Sequence, residues 1–255
     1  LSTEFPFQSI EKLNSMVFSA GDSIYFKSGD YWEGMFWLKG SGTAMQPIVV
    51  DVYGGSDRPI INGYGYQSCI LIYNDEHIQL NGLELFNSFS HLDPSGVVKR
   101  LTGFGGAANS WGSGKNVRFG VKVVATTQDL EGFSFDDLYI HHIYPTPEVV
   151  ENIHLGYGIK LETQSDTTAG LRNTISDASI THTTITETGH YGFWIKSVGR
   201  NGIDSVKKNQ ILVENCVFEH TGGSGFVPNK SKNVLVQDCI FNHTGSSINN
   251  RMWKR

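Results

Sequence analysis

Five stretches of the chain share one order of apolar and polar positions, apolar–x–apolar–x–x–apolar–x–apolar. They are Ile78, Leu80, Leu83, Leu85; Phe133, Phe135, Leu138, Ile140; Ala178, Ile180, Thr183, Ile185; Ile211, Val213, Cys216, Phe218; and Val234, Val236, Cys239, Phe241. Alternation within each half is the two-residue period of a strand, and the doubled gap marks a turn that resets which side chains point inward. The last two copies run in step: Ile211 to Val234, Cys216 to Cys239 and His220 to His243 are each 23 residues apart, and both copies close on His-Thr-Gly. A glycine and a third apolar strand follow, as in Gly158-Ile159-Lys160-Leu161, Gly192-Phe193-Trp194-Ile195 and Gly225-Phe226. Three short strands make one coil, which buries its inner face only when neighbouring coils stack on it. The pattern predicts an all-β, right-handed parallel β-helix, one domain over residues 1–255.

The flanks extend this picture. Ile10, Leu13 and Met16/Val17 lie at helical spacing and predict a short N-terminal helix over 9–17 that caps the first coil. Early rungs are expected at 21–26, 41–43, 47–50 and 59–63. Between the third and fourth copies the spacing widens to 33, with the excess at 198–208, and further excess lies at 166–173 and 145–155. Extra length in the turn after the glycine-led strand is expected of a solenoid with one functional face. A strand at 247–251 has no polar rung or helix after it to cover its edges, so further C-terminal rungs are expected beyond Arg255.

Composition removes several functions. With 39 % hydrophobic and 18 % charged residues the chain can fill a core, and 29 glycines against seven prolines suit many tight turns. A net charge of −5 gives no reason to expect a nucleic acid or an acidic membrane surface as partner. No apolar run is long enough to span a bilayer. Three cysteines form neither a zinc spacing nor a redox pair, although Cys216 and Cys239, inward on adjacent rungs, suit a disulfide or stacked free thiols. His141, His142, His182, His190, His220 and His243 recur near turns. They are expected to be a stack of turn residues, so no metal site is predicted.

The opening rungs and the run 225–255, ending Asn250-Arg251-Met252-Trp253-Lys254-Arg255, resemble secreted bacterial right-handed parallel β-helix enzymes that degrade polysaccharides. They are most similar to endo-fucanase and α-L-fucosidase-like glycoside hydrolases, and more distantly to chondroitinase and alginate-type lyases. The resemblance implies a monomeric enzyme, secreted, periplasmic or on the cell surface, with an acidic or sulfated, fucan-like polysaccharide as its partner and no cofactor. It also implies that the glycine-led strands line the substrate groove.

Alternation on those strands gives two outward ladders, Leu71, Lys122, Lys160, Trp194, Val227, Asn249 and Tyr73, Val124, Glu162, Lys196, Asn229, Arg251. Trp194 and Tyr73 offer flat faces to a sugar ring, while Lys160, Lys196, Asn229 and Arg251 suit its anionic groups. Glycoside hydrolysis needs two carboxyl groups across the bond. Glu162 is the leading catalytic candidate, held ionised by Lys196. Asp75 and Glu76, at the turn after a groove strand, come second, ahead of Glu187, Asp136 and Asp137. The alternative is an eliminating lyase using Lys230 and Arg251. It departs from the lyase pattern in having Gly223 and Gly225 where those enzymes carry acidic calcium ligands, and only in that alternative would calcium be needed. A non-catalytic carbohydrate-binding β-helix would keep the cationic and aromatic face without poised carboxyls.

Overall fold

In a computed structural model the repeat closes into a parallel β-helix, and residues 6–88, 117–145, 155–163, 173–196 and 210–245 are described. Three sheets run along it. Sheet A holds β1 (Ser23–Lys27), β4 (Ile48–Tyr53), β7 (Ile78–Asn81), β10 (Leu130–Asp136), β13 (Ile175–Thr181), β16 (Ile211–Glu214) and β19 (Val234–Gln237). Sheet B holds β2 (Tyr31–Glu33), β5 (Ile60–Asn62), β8 (Glu84–Asn87), β11 (Tyr139–Ile143), β14 (Thr184–Thr188), β17 (Val217–Thr221) and β20 (Ile240–Asn242). Sheet C holds β3 (Phe36–Leu38), β6 (Ser68–Tyr73), β9 (Val117–Ala125), β12 (Leu155–Thr163), β15 (Phe193–Lys196) and β18 (Phe226–Asn229). The coils give strands to A, B and C in turn, and each of β1 to β17 pairs in parallel with the strand three places on.

The doubled gap of the repeat is a single left-handed residue at the A–B corner. Gly82, Asp137, His182, Asn215 and Asp238 occupy it in successive coils, with φ of 68°, 53°, 48°, 53° and 52°. Glycine, Asn, Asp and His are the residues that enter this region most readily. The corner backbone continues the ladder: the N–H groups of Gly82, Asp137, His182 and Asn215 donate to the carbonyls of Asp136, Thr181, Glu214 and Gln237 one coil on, at 3.0–3.2 Å. The next residue then points inward, as Leu83, Leu138, Thr183 and Cys216 all do. Where that position is not leucine, its side chain donates to a carbonyl two residues back: Thr183 Oγ1 to Thr181 (2.9 Å), Cys216 Sγ to Glu214 (3.2 Å) and the half-buried Cys239 Sγ to Gln237 (3.1 Å). The cysteines are free thiols, and burial pushes Cys216 up to about 11.

The glycines that lead sheet C have a packing reason. Gly120, Gly158, Gly192 and Gly225 stack coil on coil. A Cβ at Gly158 would stand 2.5 Å from the Gly192 carbonyl oxygen and 2.4 Å from Ile185 Cγ2, and one at Gly192 would stand 2.6 Å from the Gly225 oxygen. No side chain fits on this line.

The N-terminal helix α1 is shorter than its spacing suggests, Ile10–Asn14, with Ser9 Oγ accepting from the Lys12 N–H. Ile10 and Leu13 are buried as predicted, whereas Val17 is 71 % exposed. Asn14 ends the helix because its side chain acts as a strand: Nδ2 donates to the Met35 carbonyl and Oδ1 accepts the Trp37 N–H, both at 2.8 Å. Phe18 N–H then donates to the Lys39 carbonyl at 2.8 Å. The open edge of β3 is thereby covered, which removes a template for edge-to-edge pairing.

Two sequence expectations are corrected. Residues 41–43 form a corner loop, not a rung; β2 and β3, too short to display the repeat, complete the first coil. The long connections do not follow only the glycine-led strands. Residues 88–116 and 144–154 precede β9 and β12, while 164–174 and 197–210 follow β12 and β15, so extra chain flanks both ends of sheet C. The expected strand at 247–251 lies outside the described residues.

Gly158→Ala should destabilise the protein by about 2 kcal/mol through overpacking. Gly245→Ala, at φ 75° with nothing within 4 Å, should cost only its left-handed strain, about 1 kcal/mol. Urea midpoints of the two variants check this, and equal losses would contradict the glycine ladder.

Candidate functional site

The register of sheet C reproduces both outward ladders as far as Val227 and Asn229. Leu71 pairs with Lys122, Lys122 with Lys160, Lys160 with Trp194 and Trp194 with Val227; Tyr73 pairs with Val124, Val124 with Glu162, Glu162 with Lys196 and Lys196 with Asn229. The face divides in two. Near the N-terminal end Met35, Leu71 and Val124 are buried with Trp37, Tyr66 and Tyr73 against them. Tyr73 thus belongs to an apolar patch, its hydroxyl accepting from Thr126 Oγ1 at 3.2 Å, and Val124 stands between it and Glu162.

Beyond Val124 the face becomes ionic. One carboxylate meets three ammonium groups: Glu162 Oε2 lies 2.9 Å from Lys160 Nζ and 3.4 Å from Lys122 Nζ, and Oε1 lies 3.0 Å from Lys196 Nζ. Glu162, Lys160 and Lys122 are buried, and only the Lys196 side chain, 41 % exposed, opens to solvent. Burial opposes the Glu162 charge, but the lysines outweigh it and hold the carboxyl down at about 2. Desolvation dominates for the lysines, drawing Lys122 down to about 7 and Lys160 below the usual lysine range, with Glu162 partly resisting.

Aromatic rings border this cluster. Trp194 stacks on Tyr157 at 5.1 Å and meets Tyr191 edge-on at 5.5 Å, and Tyr157 stacks on Phe119 at 5.3 Å. Lys160 Nζ sits 4.4 Å from the Trp194 ring centre and Lys122 Nζ 4.4 Å from that of Phe119. His190 lies 3.7 Å from Tyr191 ring to ring, and its Nδ1 is 3.0 Å from the Tyr157 hydroxyl; burial, aided by Lys160, lowers it to about 4, so the imidazole is neutral at pH 7. The pattern does not anticipate Phe119 and Tyr157, and it marks His190 only as a turn residue. Strict alternation sends Phe119 and Tyr157 inward, but Gly120 and Gly158 break the phase and the rings join the lysine face.

The remaining candidates lie elsewhere. Asp75 Oδ1 accepts from Ser41 at 3.3 Å, toward the first coil and away from Glu162, and burial raises its carboxyl. Glu76 Oε2 accepts the Glu131 N–H at 3.1 Å. Neither is brought to Glu162. Asn229 is exposed beside Lys196 on the ladder, while Arg251 and Asn249 lie outside the described residues. Lys230 is a left-handed turn residue with φ 54°. Glu187 pairs with His142 at 3.1 Å, and Asp136 and Asp137 bind His182 and Arg58 at the A–B corner. The histidines separate into several positions: His182 at the A–B corner, His190 before β15, and His142, His220 and His243 at one left-handed bulge near the ends of sheet B strands. A cavity of about 890 Å³ opens far from this face, at the first coil beside Phe18, Ile24, Phe26 and Trp32.

Fold and face together define a parallel β-helix carrying a lysine-rich, aromatic outer sheet. No protein-family model matches the chain, and no curated protein matches it. Among solved structures it is similar to a GH136 lacto-N-biosidase from Eubacterium ramulus (TM-score 0.63, 19 % identity, 87 % of this chain) and to an alginate lyase from Paenibacillus sp. str. FPU-7 (TM-score 0.60, 17 % identity, 95 % of this chain). The match spans 39 % of the lacto-N-biosidase chain and 67 % of the alginate lyase chain. At these identities the likeness establishes the fold.

Because the folded-state pKa of Glu162 is depressed from 4.5 to about 2, its stabilising contribution is present above pH 4.5 and is lost as pH falls toward 2. Glu162→Gln should therefore cost about 3 kcal/mol at neutral pH, and the deficit should close in acid. Denaturant titrations from pH 7 to 2 check this, and a deficit independent of pH would contradict it.

Proposed function

We propose that the protein is an exported carbohydrate-active enzyme that holds an acidic polysaccharide along the outer face of sheet C. The single observation that carries this reading is the Glu162 cluster: three lysines share one carboxylate beside the half-buried indole of Trp194. Their excess positive charge suits carboxylate or sulfate groups, and the indole suits the apolar face of a sugar ring. The two similar structures, named as a biosidase and an alginate lyase, support the same class.

The chemistry best supported is β-elimination from a uronate. Glu162, held at about 2, is too weak a base and too acidic to act as a proton donor near neutrality. A lysine with a lowered pKa is suited to the work of a base. Lys160, next to Trp194, is the proposed base: once deprotonated, its amine takes the proton alpha to the uronate carboxylate. The electron pair forms the C=C bond as the glycosidic oxygen leaves and takes a proton from water, while Lys196 offsets the charge that builds on the carboxylate. Glu162 orients these amines. Hydrolysis is a second reading, favoured by the raised carboxyl of Asp75, which suits a general acid but lies away from Glu162, so its partner carboxylate would be another group. A sulfated fucan without uronate has no such acidic proton and would be cut only in this second way.

Incubation with alginate, polygalacturonate, chondroitin and fucoidan separates the readings, since elimination alone creates an ultraviolet-absorbing unsaturated end. For elimination, Lys160→Arg should keep the charge, hold KM near wild type and lower kcat by about 10²–10⁴. The wild-type rate should rise with pH through a limb below the ordinary lysine range. New reducing ends without unsaturation, lost in Asp75→Asn but not in Lys160→Arg, would establish hydrolysis instead.

A further inference from the structure

At the B–C corner two adjacent coils bring Glu219, His220 and His243 together, and one donor atom from each lies within 4.8 Å of the others. We infer that these three side chains form a binding site for a zinc-like divalent transition-metal ion that ties the sixth coil to the seventh. The corner repeat builds the site. His220 and His243 sit at the same bulge in successive coils, each with φ 48°, which orients both side chains alike. Their rings lie parallel, 9° apart in plane and 4.9 Å between centres.

Glu219 precedes His220, and His220 Nε2 stands 3.7 Å from Glu219 Oε1, too long for a hydrogen bond and close enough for one ion to join them. Asn242, the partner of Glu219 in the next strand, donates Nδ2 to Glu219 Oε1 at 2.6 Å. That bond steadies the carboxylate from outside, as the partners of metal ligands commonly do. Binding would require the parallel rings to turn toward the ion, closing the donors from within 4.8 Å to the spacing of a tetrahedral ion, whose nitrogen ligands stand about 3.3 Å apart at zinc–nitrogen distances of about 2.0–2.1 Å.

Two imidazoles and a carboxylate select the class of ion. This set suits zinc, copper or nickel and is poorly matched to calcium or magnesium, which take oxygen ligands. All three groups are at the surface, two of them exposed, so an ion has direct access and solvent completes its coordination. The ladder supplies a comparison within the same protein. Two coils away the equivalent positions hold His142 and Glu187, an ion pair at 3.1 Å, and His141 Nδ1 lies 2.7 Å from His142 Nδ1, but among the described residues the three donors there do not all lie within 4.8 Å of one another. That corner should bind no ion.

The exported protein without an affinity tag, stripped with chelator, is titrated with zinc by calorimetry and its melting temperature followed. One saturable site and a rise in melting temperature are expected, with copper giving a paramagnetic resonance spectrum of nitrogen coordination, and with magnesium and calcium inactive. His243→Asn or His220→Gln should weaken zinc binding by at least about tenfold, and Asn242→Ala by about tenfold. His142→Gln should leave it unchanged. Far-ultraviolet circular dichroism and metal-free melting identify any variant that fails to fold, and Asn242→Ala, which removes no ligand, then carries the comparison. Absence of saturable zinc binding in the wild type, or wild-type affinity in folded His220→Gln/His243→Asn protein, would overturn the assignment.

Discussion

Everything in this molecule depends on each coil returning to the same three corners one strand spacing further on. Parallel strands lie about 4.8 Å apart, and a corner that overshoots breaks the ladder on every later coil. Two devices enforce the return. In the third to sixth coils one residue takes the left-handed conformation at the A–B corner and passes its N–H to the next coil, and one glycine on sheet C stacks on the glycines of neighbouring coils where no side chain would fit. The consequence is like stacked on like: Phe193 on Phe226 at 4.8 Å, Phe218 on Phe241 at 4.9 Å, His220 on His243 at 4.9 Å. Stacked phenylalanines extend a core. Stacked ionisable groups create a problem that the sequence must solve.

Lys122 and Lys160 show that problem at its sharpest. They pair directly across β9 and β12, so two buried ammonium groups would repel without an anion between them. Glu162, two residues beyond Lys160 on the same face, reaches both and also Lys196 on the next coil. Burying such a group of charges is costly unless each is paired, and even then it seldom stabilises more than an apolar replacement. A β-helix can fill this face with aliphatic side chains, as the Met35–Leu71–Val124 patch of the same sheet does. That contrast is the ground for proposing a function at this cluster.

How much of this the sequence disclosed follows from which interactions are periodic. The inward positions, the register of sheet C and the ladders through Lys160 and Glu162 were legible because backbone period alone sets them. The first coil was less legible, since β2 and β3 are three residues each and Asn14 replaces a strand with a side chain. Phe119 and Tyr157 were missed because a glycine breaks the alternation immediately after each. That Asp75 and Glu76 turn away from Glu162 was not legible at all: their directions are fixed by Ser41 and by the Glu131 N–H, contacts between corners that no pattern of apolar residues records.

The central claim is that the lysine and tryptophan face of sheet C holds an acidic polymer. Electrophoresis through native gels containing alginate, fucoidan or a neutral galactan tests it most directly. The account predicts retardation in the acidic gels alone, weakened by added salt and by Lys196→Gln, because an exposed cation on this face acts through screened charge. Equal retardation in the neutral gel, or acidic retardation untouched by both salt and Lys196→Gln, would contradict it.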